Sequence, residues 1–587
     1  MASASVGQPL GPPTLNTSKS VDSIIPQTNN LILCEKTTTT EHDDTMESFD
    51  TQNFPTMGLM ENFSPTYLST GNPCLDFFYH VVSDTLSNDL IQRLDLAWAY
   101  DPLTALKLIC NLRGMRGTGK SDKEGFYISS LWLHKSHPKT LALNLKASAN
   151  FGCFKDFPEI LYRLLYGPEV RKLAKQGRYE KKRAKRNIHV DFYEEEEVQE
   201  EGILEKMEKI SKEEARTLRK ERYNNDPDYR FLFDCVCYGF AELLKSDLEF
   251  RSHGEVFQIC LAAKWWIVRR VFPRECDKEY ERIEEAHYAS RVRDRLRKQV
   301  LGCDSGDDEG LFQKHDKERF EDYLEKVKSG KEKIAAGALL PHQIIKSLYE
   351  DGEQVAELQW ERMVSDVAKK GKLTNCIAVC DVSGSMNGTP MEVCAALPWK
   401  GKLFTFSQDP QLHLIKGNTF LAKTEFIREM DWGMNTDLQK VFDQILEVAV
   451  EAKLTEEQLI KRVFVFSDME FDGATGQGRN IWVGFDTEDS DPEPEEEMKK
   501  GWETDYGVIQ RKFREKGYNR VLEIVFWNLR DSMSTPVVAD QIGVALVSGF
   551  AKNLLTLFLE EGGIVNPEDV MRLAIAGGEY KELVVYD

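Results

Sequence analysis

Cys376-Ile-Ala-Val-Cys380-Asp381-Val-Ser383-Gly-Ser385-Met386 is an apolar run closed by one acid and two hydroxyls. An apolar stretch this short, rich in β-branched residues, reads as a strand buried on both faces. Its polar tail falls where such a strand ends. Two further positions carry the same chemistry: Thr436, three residues after Gly433 and opening a helix, and Asp468, which follows the apolar run Arg462–Phe466. Hydroxyls and carboxylates are hard oxygen donors, the kind magnesium and manganese take in an octahedron. Asp381, Ser383, Ser385, Thr436 and Asp468 are therefore the expected ligands of Mg²⁺ or Mn²⁺. A set made partly of neutral hydroxyls leaves the ion electrophilic, which suits capture of an acidic group from a partner.

Outward from this stretch the texture is consistent. After Gly371, short apolar runs alternate with amphipathic helices. The strand candidates are Asn375–Cys380, Lys402–Phe406, Arg462–Phe466, Leu522–Phe526 and Gly543–Val547. The helix from Thr436 carries Leu438, Val441, Phe442, Ile445 and Leu446 on one face. Strand–helix alternation implies a doubly wound, mostly parallel sheet covered on both sides. Ligands bind such sheets beyond the carboxyl ends of the strands, and Asp381 and Asp468 both sit at that end. Upstream the pattern is helical: Ala356, Trp360, Met363, Val364 and Val367 share one face, and comparable stretches precede them. The expected class is α + α/β. A disordered tail over 1–60 leads into a helical-repeat-like region over 61–371, with a flexible charged segment at about 171–215. The sheet domain follows over 372–587, with an acidic insertion at 486–499.

Composition sets the outer limits. With 587 residues, two or three domains are expected. Ninety-seven acidic against 76 basic residues give a formal charge of −21, which argues against a surface that coats nucleic acid throughout. No uninterrupted apolar run reaches the roughly 18 residues of a membrane span. The Ser-, Gly- and Pro-rich start, Met1–Pro13, lacks the apolar core of a secretion signal. The 12 cysteines are irregularly spaced and read as reduced thiols of an intracellular protein, cytoplasmic with nuclear import as the minority option.

Asp381-x-Ser383-x-Ser385 after a strand, Gly433-x-x-Thr436 opening a helix and Phe466-Ser467-Asp468 ending a strand resemble, in that order, the metal-ion-dependent adhesion site of the von Willebrand factor A domain. The resemblance implies that the Ser383, Ser385 and Thr436 hydroxyls face the ion. Asp381 and Asp468 would act mainly through waters or by orienting the hydroxyls. A broader resemblance, over about 60–587, is to a family of uncharacterised plant and giant-virus proteins that pair a helical region with an A-like domain. The segments Ile334–Pro341, Val355–Trp360, Val379–Met386, Asp431–Phe442 and Val463–Asp472 carry it. The architecture is also similar to the TROVE-domain family of the Ro autoantigen, which implies a helical ring that binds small or misfolded RNA. One departure stands out. Only Pro390–Leu397 is available for the first helix of the A domain, about two turns, which is expected to loosen the Ser383–Ser385 loop.

Gly114-Met-Arg-Gly-Thr-Gly119-Lys120-Ser121 fits a phosphate-cradling P-loop as a string. Its context is wrong for one: Leu103, Leu106, Ile109 and Cys110 upstream have helical spacing, and Asp122, Lys123 and Glu124 follow. A Gly-rich turn between two helices is the expectation. Arg113, Arg116 and Lys120 are then candidates for an RNA-facing edge. Two charge runs complete the picture. Arg171–Arg186 holds nine basic residues and one acid, with Lys181-Lys-Arg-Ala-Lys-Arg186 at its centre, and is followed by the six glutamates of Glu194–Glu201. This block reads as solvated and flexible. Asp486–Glu497 is acidic, broken by Pro492 and Pro494, and one of its carboxylates is a candidate competitor for the open position on the metal.

The functional expectation is a non-enzymatic binding or scaffold protein that captures an acidic protein ligand through a metal site. The alternatives are a Ro-like RNA-binding, RNA quality-control protein and, disfavoured, a P-loop nucleotide hydrolase. The oligomeric state is not legible.

Overall fold

A computed structural model of the chain describes residues 57–59, 65–171, 212–253, 255 and 317–587, the last span except 335, 338, 351–352, 372, 374, 382, 397–401, 407–409, 431–436, 470–504, 520–521, 533 and 560–562. Thr436, most of the expected tail over 1–60, most of the charged segment 171–215 and the insertion 486–499 lie outside the described residues. Those from 57 onward belong to one compact unit.

A short hairpin, β1 (Met57–Leu59) and β2 (Pro65–Tyr67), precedes a helical region. Its helices are α1 (Pro73–His80), α2 (Ser87–Tyr100), α3 (Pro102–Arg113), α4 (Lys123–Ser136), α5 (Pro138–Leu143), α6 (Leu145–Ser148), α7 (Asp156–Tyr166), α8 (Lys212–Asn225), α9 (Pro227–Ser252), α10 (Lys317–Lys328), α11 (Pro341–Glu350) and α12 (Glu353–Ala368). Local chemistry sets several starts. Asn72, Asp101 and Asp122 each accept backbone N–H bonds at the helix they precede, and α1 and α3 open with proline, whose fixed φ suits the first turn. The face expected on α12 is the one that packs: Ala356, Trp360 and Met363 are buried, with Trp360 stacked on Phe420. Among the described residues, no helix is long and apolar enough to cross a membrane.

The C-terminal half is built on a mostly parallel sheet of six strands, in the order β5–β4–β3–β6–β7–β8. These are β3 (Cys376–Asp381), β4 (Lys402–Phe406), β5 (Gln411–Leu414), β6 (Arg462–Ser467), β7 (Glu523–Asn528) and β8 (Val544–Ser548). All five expected strands are present within a residue or two. The addition is β5, an antiparallel edge strand whose exposed Leu412 and Leu414 give it no buried pattern to read. The helices of this half are α13 (Thr389–Ala396), α14 (Phe420–Arg428), α15 (Leu438–Glu451), α16 (Asp505–Glu515) and α17 (Pro567–Ala574). Strands β6, β7 and β8 are buried along their whole length, as parallel strands covered on both faces must be.

The two halves meet at the carboxyl rim of the sheet. The last residues of β7 and β8 bond to main-chain carbonyls in and just after α1: Asn528 Nδ2 to Tyr79 O at 3.4 Å, Ser548 Oγ to Phe78 O at 3.1 Å and to Val81 O at 3.3 Å. The rim is thereby divided. Its β7–β8 end is roofed by α1, while Gly384, Ser385, Asn387 and Gly388 after β3 stay exposed.

Candidate metal centre

Strands β3 and β6 lie side by side in parallel, with Cys380 opposite Phe466. One step further along each strand come Asp381 and Ser467, then Asp468. This register brings together residues far apart in sequence. Asp381 is fully buried. Its Oδ1 accepts from the Ser383 backbone N–H at 2.8 Å, and its Oδ2 accepts from Ser467 Oγ at 2.7 Å. The Ser467 hydroxyl also accepts the Met469 N–H at 2.9 Å and lies 3.4 Å from Asp468 Oδ1. Its single proton goes to the shorter contact, Asp381. Met469 adopts φ 69°, a left-handed conformation uncommon for residues other than glycine, and its side chain is buried. Backbone strain of this kind, about 1–3 kcal/mol, concentrates at functional sites.

Ser383 is buried and Ser385 exposed, and their hydroxyls approach to 2.8 Å. A 3-10 turn, Gly384–Met386, makes that approach by folding the chain back on itself. The next element, α13, has the two turns expected of it. It does not stand alone: it packs on β3, β6, α11 and α14, and Glu392 meets Arg428 at 3.2 Å. The helical half of the chain thus packs on α13 through α11.

Burial, and after it the charge of neighbouring Asp468, pushes the Asp381 carboxyl up to about 7, against the pull of its bonds from Ser383 and Ser467. Asp468 is also buried. Two buried carboxylates that repel, with serine hydroxyls around them, form a hard-oxygen set that fits a divalent cation. The set is unlike a His/Cys/carboxylate cage, and no group of three or more such residues able to hold a metal occurs among the described residues. Of the expected ligands, the structure brings Asp381, Ser383, Ser385 and Asp468 to one stretch of the rim. Thr436 lies outside the described residues. Downstream of it, Asp437 caps α15 through Lys440 N. Ser467 was missed by sequence reading as a contributor, although it sits inside Phe466-Ser467-Asp468. Nothing in a single sequence distinguishes a serine that bridges to another strand from one that ends its own.

The RNA-facing edge expected of Arg113, Arg116 and Lys120 does not hold as a set, because two of the three side chains point into the protein. Arg113 forms a buried pair with Asp156, 2.9 Å from Nε to Oδ2, and Asp156 also accepts from Tyr127 at 2.8 Å. Lys120 donates to Phe78 O, to Val81 O at 2.8 Å and to Ser548 Oγ at 2.8 Å. Only Arg116 is exposed. The string 114–121 joins α3 to α4, as its flanking pattern predicts, rather than a strand to a helix. Its glycines have a local reason. A Cβ on Gly114 would lie 2.8 Å from Gly119 Cα, and one on Gly119 would run into the Gly114 backbone, while Gly117 sits at φ +71°. Two backbones in contact need glycine here with no phosphate between them. Asn553 Nδ2 donates to Gly119 O at 3.3 Å, fastening the turn to the C-terminal half.

Comparison with known proteins finds two family matches in different parts of the chain. Residues 375–582 match a family described as a domain of unknown function (DUF7788). Residues 60–266 and 307–373 match another with the same description (DUF2828). The uncharacterized protein L728 of Acanthamoeba polyphaga mimivirus is 25% identical over 537 residues, covering 85% of this chain and 84% of its own length. A giant-virus relative is what the broader resemblance implied.

Proposed function

We propose that the β3–β6 rim is a magnesium or manganese site of the von Willebrand factor A kind, and that the protein is a non-enzymatic binding or scaffold protein. The site would use the ion to capture an acidic group of a protein partner. One observation carries this reading: Asp381 and Asp468, two buried and mutually repelling carboxylates, flank the Ser467 hydroxyl beside the paired Ser383 and Ser385 hydroxyls. Two carboxylates buried together raise the proton affinity of one of them, and a divalent cation is a second way to offset their repulsion. Ser383 and Ser385 would face the cation with their hydroxyls, and Asp381, held by Ser467, and Asp468 would act mainly through bound waters or by orienting the hydroxyls. The cation would supply Lewis acidity toward an incoming carboxylate.

On this reading the sheet half over 372–587 is the adhesion domain, and the helical half over 61–371 is a platform clamped to its rim. Titration with Mn²⁺, followed by its electron paramagnetic signal, tests the proposal. The native protein should bind about one ion and Asp381→Asn should bind none. Absence of Mn²⁺ binding by the native protein overturns it. No observation favours the RNA-binding alternative, since Arg113 and Lys120 face inward.

A further inference from the structure

We propose that Arg530 is the second half of the ligand-binding site: a carboxylate of the partner is held at once by the cation and by the Arg530 guanidinium. This rests on the metal reading above. Arg530 lies on the turn after β7, the strand next to β6. That turn is fixed, because Asn528 is buried and its Oδ1 accepts the Arg530 backbone N–H at 3.1 Å. From there the guanidinium reaches across the rim and donates one N–H to the carbonyl of Ser385, 145 residues away in the chain. Ser385 is the exposed member of the hydroxyl pair, and the guanidinium touches its carbonyl, which would put Arg530 at the exposed end of that pair.

Two features mark this arginine as more than a prop for the turn. It is only half-buried, and it makes no ion pair among the described residues. A guanidinium has five N–H donors in a planar fork that matches a carboxylate, and the Ser385 carbonyl uses one. Asp84 feels the charge of Arg530, which lowers its carboxyl, but it is not within ion-pair distance of the guanidinium. A cation held at this rim would lie near Asp381 and Asp468, and Arg530 would add a second positive charge at its exposed side. A ligand between the cation and Arg530 must be anionic, and the planar fork favours the flat carboxylate over a neutral carbonyl or hydroxyl.

This arrangement predicts opposite effects of Arg530 on two measurable affinities. A positive charge beside the ion weakens binding of Mn²⁺ alone, yet strengthens binding of Mn²⁺ together with a carboxylate. Mn²⁺ affinity is measured on the full-length protein with and without acetate as the probe, for the native chain, Arg530→Gln and Arg530→Lys. Acetate should tighten Mn²⁺ binding by the native protein by about tenfold, the scale of one charge-assisted pair. In Arg530→Gln, Mn²⁺ alone should bind as tightly or a few-fold tighter, and the acetate effect should vanish. Arg530→Lys, which keeps the charge and loses the fork, should keep native affinity for Mn²⁺ alone and lose most of the acetate effect. A structural role limited to pinning Ser385 would instead weaken Mn²⁺ binding in Arg530→Gln, and that result overturns the inference. Equal acetate enhancement in all three proteins, or none in the native one, overturns it while leaving the metal site standing. Failure of the native protein to bind Mn²⁺ removes both proposals together.

Discussion

Ser467 Oγ donates to Asp381 Oδ2 at 2.7 Å, joining the ends of neighbouring strands across 86 residues of sequence. The bond holds the buried carboxylate still and leaves Asp468 beside the same hydroxyl. Ser467→Ala removes the donor without adding bulk. Mn²⁺ affinity should fall about 10–100-fold, the usual cost of losing a partner that orients a metal ligand. Stability should fall by about 1–3 kcal/mol, because Asp381 loses a buried donor. Titration and urea unfolding measure the two effects separately.

Metal removal should be visible in stability. Anything that binds only the folded chain stabilises it, by about 2.7 kcal/mol at a free concentration 100 times the dissociation constant. The native protein should therefore melt higher with saturating Mn²⁺ than with chelator. Asp381→Asn should melt at the same temperature in both. It should also be no less stable than the native chain with chelator, since a neutral amide ends the repulsion with Asp468. Differential scanning calorimetry of both proteins, with and without chelator, checks all three statements.

Lys120 gives stability a pH dependence of definite sign. Burial pushes its ammonium down to about 7 from the ordinary 10.5. Below about 7 both the folded and unfolded chains carry the proton, and the cost of burying the charge is fully felt. Between 7 and 10.5 the unfolded chain holds more protons, so this contribution to stability rises with pH. The slope is half-maximal at pH 7 and approaches about 1.4 kcal/mol per pH unit above it, so the gain from pH 7 to pH 9 is roughly 2 kcal/mol. Lys120→Met should lack this component. Urea unfolding at several pH values should show the native chain gaining on the variant as pH rises, and parallel curves would refute the assignment.

Arg113 and Arg116 differ by three positions and should differ sharply in effect. Arg113→Ala leaves Asp156 buried without its cation, a loss of about 3–5 kcal/mol. Arg116→Ala changes an exposed side chain and should stay within about 0.5 kcal/mol of the native protein. Equal effects would contradict the inward placement of Arg113.

Much of the sheet half was legible because its signals are local. Apolar runs such as Arg462–Phe466 need no partner to be read as strands, and the helix face of Leu438, Val441, Phe442, Ile445 and Leu446 repeats at the spacing of the turn itself. The carboxyl-end rule alone puts Asp381 and Asp468 on one rim. Strand β5 escaped, since an exposed edge strand has no buried face to leave a pattern.

The amino-acid sequence alone determined where strands end in acids and hydroxyls, and hence which oxygen atoms are candidates for a cation. Tertiary structure decided which of these groups are buried, which are paired, and what stands beside them. Ser467 to Asp381, Arg530 to Ser385 and Lys120 to Ser548 join positions 86, 145 and 428 residues apart. Helix and strand periodicity act over a few residues, whereas burial and charge pairing depend on which distant segments the core brings into contact. Hence Lys120, with the spacing of a phosphate-binding lysine, became an internal strut between α1 and β8. Arg530, unremarked in the linear chain, came to rest against the carbonyl of Ser385.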